Sequence, residues 1–165
     1  MEILWTPWRM QYIKSTLEKS GKCIFCELPK KDDEEALIVY RGKYNYIVLN
    51  AFPYNSGHVM IVPYRHVSSI EDMSDEELFE TMKLLRMTLK VLREEYKPEG
   101  FNVGWNIGRA AGAGIPGHVH VHVVPRWAGD ANFMTVTAGV KVLPEALNDT
   151  WKRLRRGFER LTSST

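Results

Sequence analysis

The run His118-Val119-His120-Val121-His122 sets an imidazole at every second position. In an extended strand alternate side chains share a face, so the three histidines project together while Val119, Val121 and Val123 share the opposite face. Neighbouring imidazoles resist being protonated together, which favours neutral or singly charged rings bonded to one another or to carbonyls. A neutral imidazole whose far nitrogen is held by an acceptor is a nucleophile, and the middle ring, His120, is the candidate for attack on phosphorus. A H-x-H pair also suits a catalytic zinc with a third ligand, and spacing alone leaves both chemistries open. Just upstream, Gly108, Gly112, Gly114 and Gly117 punctuate the loop 108–117, a composition that lets backbone amides turn toward a phosphate. Cys23-Ile24-Phe25-Cys26 is a second constellation: two thiolates suit a metal or a redox pair, but two ligands do not complete a structural site.

Strands and helices must position these groups. Strands are expected at 36–41, 44–50 and 57–63, with a hairpin at Arg41-Gly42-Lys43, then at 101–107 and at 118–125, all rich in β-branched and aromatic residues. Ser74-Asp75-Glu76-Glu77 has the capping-box pattern, and Leu78, Met82, Leu85, Leu89 and Leu92 mark a helix that ends at Lys97-Pro98. A last amphipathic helix is expected over 145–161, with Leu147, Trp151, Leu154 and Phe158 inward and Arg153, Arg155, Arg156 and Arg160 largely outward, before a frayed tail from Thr162. Trp5, Trp8 and Tyr12 around Pro7 read as a packed aromatic arm. Strands interrupted by one long helix and closed by another give an α+β fold with a mainly antiparallel five-stranded sheet.

With 165 residues and 44% hydrophobic side chains, a single domain over 1–165 is expected: an arm at 1–22, a core at 23–135 and a C-terminal extension at 136–165. The 22 basic and 20 acidic side chains leave a net charge of +2, far from the basic stripe that nucleic-acid binding requires. No long apolar run or leader-like start is present, so a cytoplasmic protein without a membrane partner is expected. Two cysteines are too few for a disulfide framework.

His-x-His-x-His followed by two apolar residues resembles the histidine triad family of nucleotide hydrolases and transferases. Gly57-His58-Val59-Met60-Ile61-Val62-Pro63 is similar to the family's G-H-apolar strand, and Asn50 to the asparagine closing the strand before it. The opening Leu4-Trp5-Thr6-Pro7-Trp8-Arg9 and the segment Pro125-Arg126-Trp127 through Asp130-Ala131-Asn132-Phe133 look like the bacterial branch that includes diadenosine tetraphosphate phosphorylases.

The resemblance implies a homodimer with the sheet extended across it and two sites for an adenosine nucleotide. It implies that His120 attacks an α-phosphorus to form a nucleotidyl-histidine, released by water as AMP or by inorganic phosphate as ADP. His58 and His122 would support the site, Asn50 would hold the ribose, and Asn106 with Gly112 and Gly114 the phosphate region. In relatives with the cysteine pair, a histidine after the G-H strand and the first triad histidine complete a structural zinc site, which points here to Cys23, Cys26, His66 and His118. A magnesium ion on the polyphosphate is admitted as a second cofactor. The chain departs from many members at Gly114, where they carry glutamine, and in the spacing of Asn106 from the triad. Nucleoside phosphoramidates as substrates, and a non-catalytic nucleotide-binding or zinc-stabilised interaction module, are the alternatives.

Overall fold

Ser74 opens the longest helix by accepting from the Glu77 amide while the Glu77 carboxylate accepts from the Ser74 amide, the reciprocal box its sequence announces. The computed structural model describes residues 22–131 and 143–163. Within them lie four helices, α1 (Ile24–Glu27), α2 (Asp33–Ala36), α3 (Asp75–Tyr96) and α4 (Leu147–Ser163). The strands are β1 (Ile38–Arg41), β2 (Asn45–Leu49), β3 (Val59–Pro63), β4 (Gly100–Trp105) and β5 (Val121–Arg126), joined by short 3-10 turns. The five strands form one antiparallel sheet in the order β1-β2-β3-β5-β4, as the α+β reading expects. The aromatic arm around Trp5, Trp8 and Tyr12 lies outside the described residues.

Alternation along the strands builds two layers. Ile47, Leu49, Val59, Ile61, Val121 and Val123 face α3 and α4, where they meet Leu84, Leu85, Val91, Leu92, Leu154 and Phe158. Each such side chain, once fully buried, contributes about 1.5–3 kcal/mol. On the other face Tyr46, Val48, Met60 and Val62 pack with Phe25 of α1 and Ile38. Both faces of β2 and β3 are therefore covered, and β5, next to β3, presents Val121 and Val123 to the helices and His122 to the opposite side.

The structure corrects several expected boundaries. The strand expected from residue 36 begins at Ile38, because Asp32 caps α2 through the Glu34 amide and Leu37 turns left-handed to end it. The strand expected over 118–125 begins at Val121. Residues 118–120 are drawn away from the sheet: the Val119 amide bonds to the Val67 carbonyl, and Val119 packs with Val67 and Met73. The core face of α3 is also rotated from the expected one: Met82 is 55% exposed, beside Phe79 at 68%. Thr81 and Thr88 are buried in its place, their hydroxyls donating to the carbonyls of Glu77 and Leu84 and so entering the core already satisfied. Finally α4 runs through Thr162 to Ser163, whose hydroxyls bond back to carbonyls one turn earlier, so the helix takes in the first two residues of the expected tail; residues 164–165 lie outside the described residues.

Candidate active site and metal centre

The three triad histidines share a face but not a role. His118 is fully buried, and its Nε2–H donates to the Pro63 carbonyl at 2.8 Å. A carbonyl can only accept, so the Nδ1 lone pair faces outward, 3.3 Å from the Cys23 sulfur and 3.6 Å from that of Cys26. His66, just past β3, brings its Nδ1 to 3.5 Å from Cys26 Sγ. The four donor atoms all lie within 4.8 Å of one another. Tetrahedral zinc with its usual bond lengths sets ligand atoms about 3.3–3.8 Å apart, so this donor set fits the ion. The Pro63 carbonyl fixes the tautomer that ligation needs, as outer-shell acceptors do in zinc sites. Among the described residues no other group of three or more His, Cys, Asp or Glu side chains is arranged to hold a metal. Of the three triad rings, His118 is the one whose Nδ1 is turned toward the cysteines.

His120 is held differently. Its Nδ1–H donates to the His118 carbonyl at 2.9 Å, which leaves the lone pair on Nε2. The Phe25 ring packs against it with centroids 4.7 Å apart and touches His118 from the same position, while His122 meets it edge-on at 4.8 Å. Burial pushes the His120 imidazole below its ordinary value, and burial pushes His118 down to about 4. Both rings are thus neutral at neutral pH, the state that nucleophilic attack and metal ligation require.

A chain of protons orients the remaining pair. The Tyr54 amide donates to His58 Nδ1 at 3.0 Å, so the neutral His58 ring carries its proton on Nε2. That nitrogen lies 3.0 Å from His122 Nδ1, which must then accept, leaving Nε2 as the proton-bearing nitrogen of His122. A ring with an Nε2 lone pair, His120, therefore sits against a ring with an Nε2–H, His122. Side by side they present a lone pair and an N–H, the two groups that nucleophilic attack and proton donation call for.

Residues 31–129 match the HIT domain. The chain belongs to the histidine triad, or HIT, family. It is 46% identical to the AP-4-A phosphorylase of Mycobacterium tuberculosis over 167 residues, spanning 97% of this chain and 86% of that one. It is 34% identical to the bis(5'-adenosyl)-triphosphatase of Saccharomyces cerevisiae over 91 residues, 54% of this chain and 44% of that one. Its fold superposes on a Zn-bound histidine triad family protein from Mycobacterium smegmatis with a TM-score of 0.71 at 24% identity, covering 88% of this chain and 99% of that one.

In this HIT chain Asn50 is buried; its Oδ1 accepts from the Phe52 amide, and its Nδ2 lies 3.5 Å from His58 Nδ1. It is thus tied to the loop before β3 as well as lying beside the histidines. Asn106 is half-buried just past β4. In the glycine loop the amides of Gly112 and Ala113 are already bonded to the carbonyls of Arg109 and Gly108, so a phosphate would draw on other donors. A Cβ added at Gly114 would meet nothing within 4 Å. Sequence reasoning missed Phe25 as the wall behind His118 and His120, although its place inside the C-x-x-C pair was the available signal. It also missed the Tyr54 main chain, for which side-chain type carries no signal. No helix among the described residues is long and apolar enough to cross a membrane.

Proposed function

We propose that this protein cleaves dinucleoside polyphosphates of the diadenosine tetraphosphate type at the α-phosphate through a covalent nucleotidyl-histidine. The observation that carries the reading is the hydrogen bond from His120 Nδ1–H to the His118 carbonyl, which leaves Nε2 as a nucleophile beside the His122 proton. His120 Nε2 forms a bond to the α-phosphorus as the bond from phosphorus to the bridging oxygen breaks, and His122 Nε2–H donates toward that oxygen. From diadenosine tetraphosphate ATP departs, and the adenylyl group stays on His120. Inorganic phosphate then takes the adenylyl group to give ADP, or water takes it to give AMP. The 46% identity to an AP-4-A phosphorylase favours phosphate as the acceptor, and the open space at Gly114 is consistent with a second phosphate-bearing substrate.

Around this chemistry we assign the 1–165 domain nucleotide-holding roles at Asn50, Asn106, Gly112 and Gly114. Cys23, Cys26, His66 and His118 would hold a structural zinc, which when bound ties α1, and with it Phe25, to the histidine strand. Magnesium would accompany the polyphosphate. The edge strand β4, where Val103 is exposed, is the side on which a second copy would extend the sheet. A cytoplasmic enzyme acting on free nucleotides completes the reading. Turnover of diadenosine tetraphosphate with and without inorganic phosphate tests it: ADP and ATP formed only with phosphate is the expected result, and AMP formed at the same rate in both would refute the phosphorylase.

A further inference from the structure

The loop between β2 and β3 carries the amide on which the proton chain depends, and something must hold that loop down. At its base the Asn50 amide donates to the His58 carbonyl, and the His58 amide donates to the Asn55 carbonyl. At its crest the buried Asn55 side chain uses both amide protons: Nδ2 donates to the Pro125 carbonyl at 2.9 Å and to Asp130 Oδ2 at 2.7 Å. Asp130 is in turn gripped by Arg126, whose Nε and Nη2 donate to its two oxygens at 2.7 and 3.0 Å, and it also accepts from the Trp127 amide. Arg126 reaches on to Asn102 Oδ1 of β4. The Arg126 guanidinium holds the Asp130 carboxyl well below the usual carboxylate range, so the acceptor that Asn55 needs stays charged at any working pH.

We infer that Asn55 and Asp130 are positioning residues that decide which way the His58–His122 pair carries its protons. A donor at His58 Nδ1 favours one of the two tautomeric arrangements of that pair, and the loop supplies it: the Tyr54 amide lies 3.0 Å from that nitrogen, and Asn50 Nδ2, whose side chain is tied to the loop through the Phe52 amide, lies 3.5 Å from it. With the Tyr54 amide in place, His58 holds Nε2–H and His122 presents Nε2–H. With the loop lifted, His58 can take Nδ1–H and accept at Nε2 from His122 Nδ1–H, and His122 Nε2 then carries a lone pair. The second arrangement removes the donor that faces the substrate. Asn55 is one residue from Tyr54, and its side chain reaches the end of β5 at Pro125, so the clamp sets the amide relative to the same strand that carries His122. The inference rests on the proposed roles of His120 and His122, but its first readout is independent of turnover.

The test is the nitrogen resonances of histidine-labelled protein at neutral pH, which distinguish protonated from unprotonated ring nitrogens. Wild type is expected to show His58 and His122 both protonated on Nε2. Asn55→Ala and Asp130→Ala are expected to give mixed tautomers at both rings, and kcat is expected to fall by on the order of tenfold or more with KM within about twofold. Single tautomers unchanged in both variants, or His58 protonated on Nδ1 in wild type, would overturn the inference, as would variants with a lowered Tm but unaltered tautomers and kcat. Should the alanine forms fail to fold, Asp130→Asn keeps the shape, weakens the clamp and is judged by the same resonances. Tautomers that respond in a protein whose His120→Asn form is fully active would leave the clamp standing and sink the nucleophile.

Discussion

Gly57→Ala perturbs the active-site loop through a single methyl group, and its cost can be worked out in advance. Gly57 has φ +74°, and an added Cβ would lie 3.2 Å from Leu92 Cδ2 and 3.4 Å from both Pro125 Cγ and Tyr96 Cε2. The left-handed backbone costs an alanine about 1–2 kcal/mol. Leu92 is fully buried and must give by a few tenths of an ångström, which adds a fraction of a kcal/mol in a close-packed core. Against this, alanine restricts the unfolded chain and returns about 0.4–1 kcal/mol. The balance is a loss of about 1–2 kcal/mol, and at this chain length each kcal/mol lowers Tm by about 2–4 °C. Urea and thermal denaturation of wild type, Gly57→Ala and Gly114→Ala measure it. Gly114 is not left-handed and has open space around its would-be Cβ, so its variant should match or slightly exceed wild type. Because Gly57 precedes His58, the first variant should also lose activity. A Gly57→Ala protein as stable as Gly114→Ala would refute the reasoning.

Three further outcomes are expected. Gly157→Ala should destabilise although alanine is the better helix former by about 1 kcal/mol, because its Cβ would fall 2.6 Å from Val91 Cγ1, and such overpacking costs about 1–3 kcal/mol; a double-mutant cycle with Val91→Ala should give a favourable coupling. The Glu80 carboxylate accepts from the amides of Lys43, Tyr44 and Asn45 and from Asn45 Nδ2. Burial opposes its ionisation, but these donors prevail and hold it below its ordinary 4.5. Its contribution is therefore present above that value and lost as the pH falls through the lower folded one, so the stability gap between wild type and Glu80→Gln should shrink as the pH drops below about 5. Metal analysis of Cys23→Ser should give less zinc than wild type, with activity lost in proportion to disturbance of Phe25; unchanged zinc would dismiss the site.

How much of this was legible in the sequence depends on the range of each interaction. The capping box at Ser74, the β-branched and aromatic content of β2 and β3 and the alternation of β5 are local signals, and they located the long helix and the sheet. Period alone misjudged which side of α3 is buried, since it ranked Met82 above Thr81 and Thr88; a threonine whose hydroxyl is satisfied within its own helix counts as apolar, and spacing does not reveal this. The triad was visible as three rings on one face. The separate roles expected of them came from the family resemblance, and the tautomers were not legible at all, because those are set by the carbonyls of Pro63 and His118 and by the Tyr54 amide, main-chain groups that every sequence supplies. Cys23 and Cys26 suggested a metal or a redox pair, and the expected grouping with His66 and His118 came from the family resemblance and not from their spacing. The contacts that matter most for Asn55 and Glu80 join residues far apart in the chain and follow no period; Asp130 has Arg126 four residues before it, but its bond to Asn55 crosses the fold and left no trace in the spacing.

The central claim is that the His120 Nε2 lone pair becomes a bond to phosphorus. Brief mixing with diadenosine tetraphosphate in the absence of phosphate, an alkaline quench that spares a phosphorus–nitrogen bond, and mass spectrometry of the peptide containing 118–122 test it most directly. An adenylyl group on His120, absent from His120→Asn and discharged as ADP when phosphate is added, is the expected result. Turnover that continues in His120→Asn, or that proceeds in wild type with no adduct at the shortest times, would contradict it.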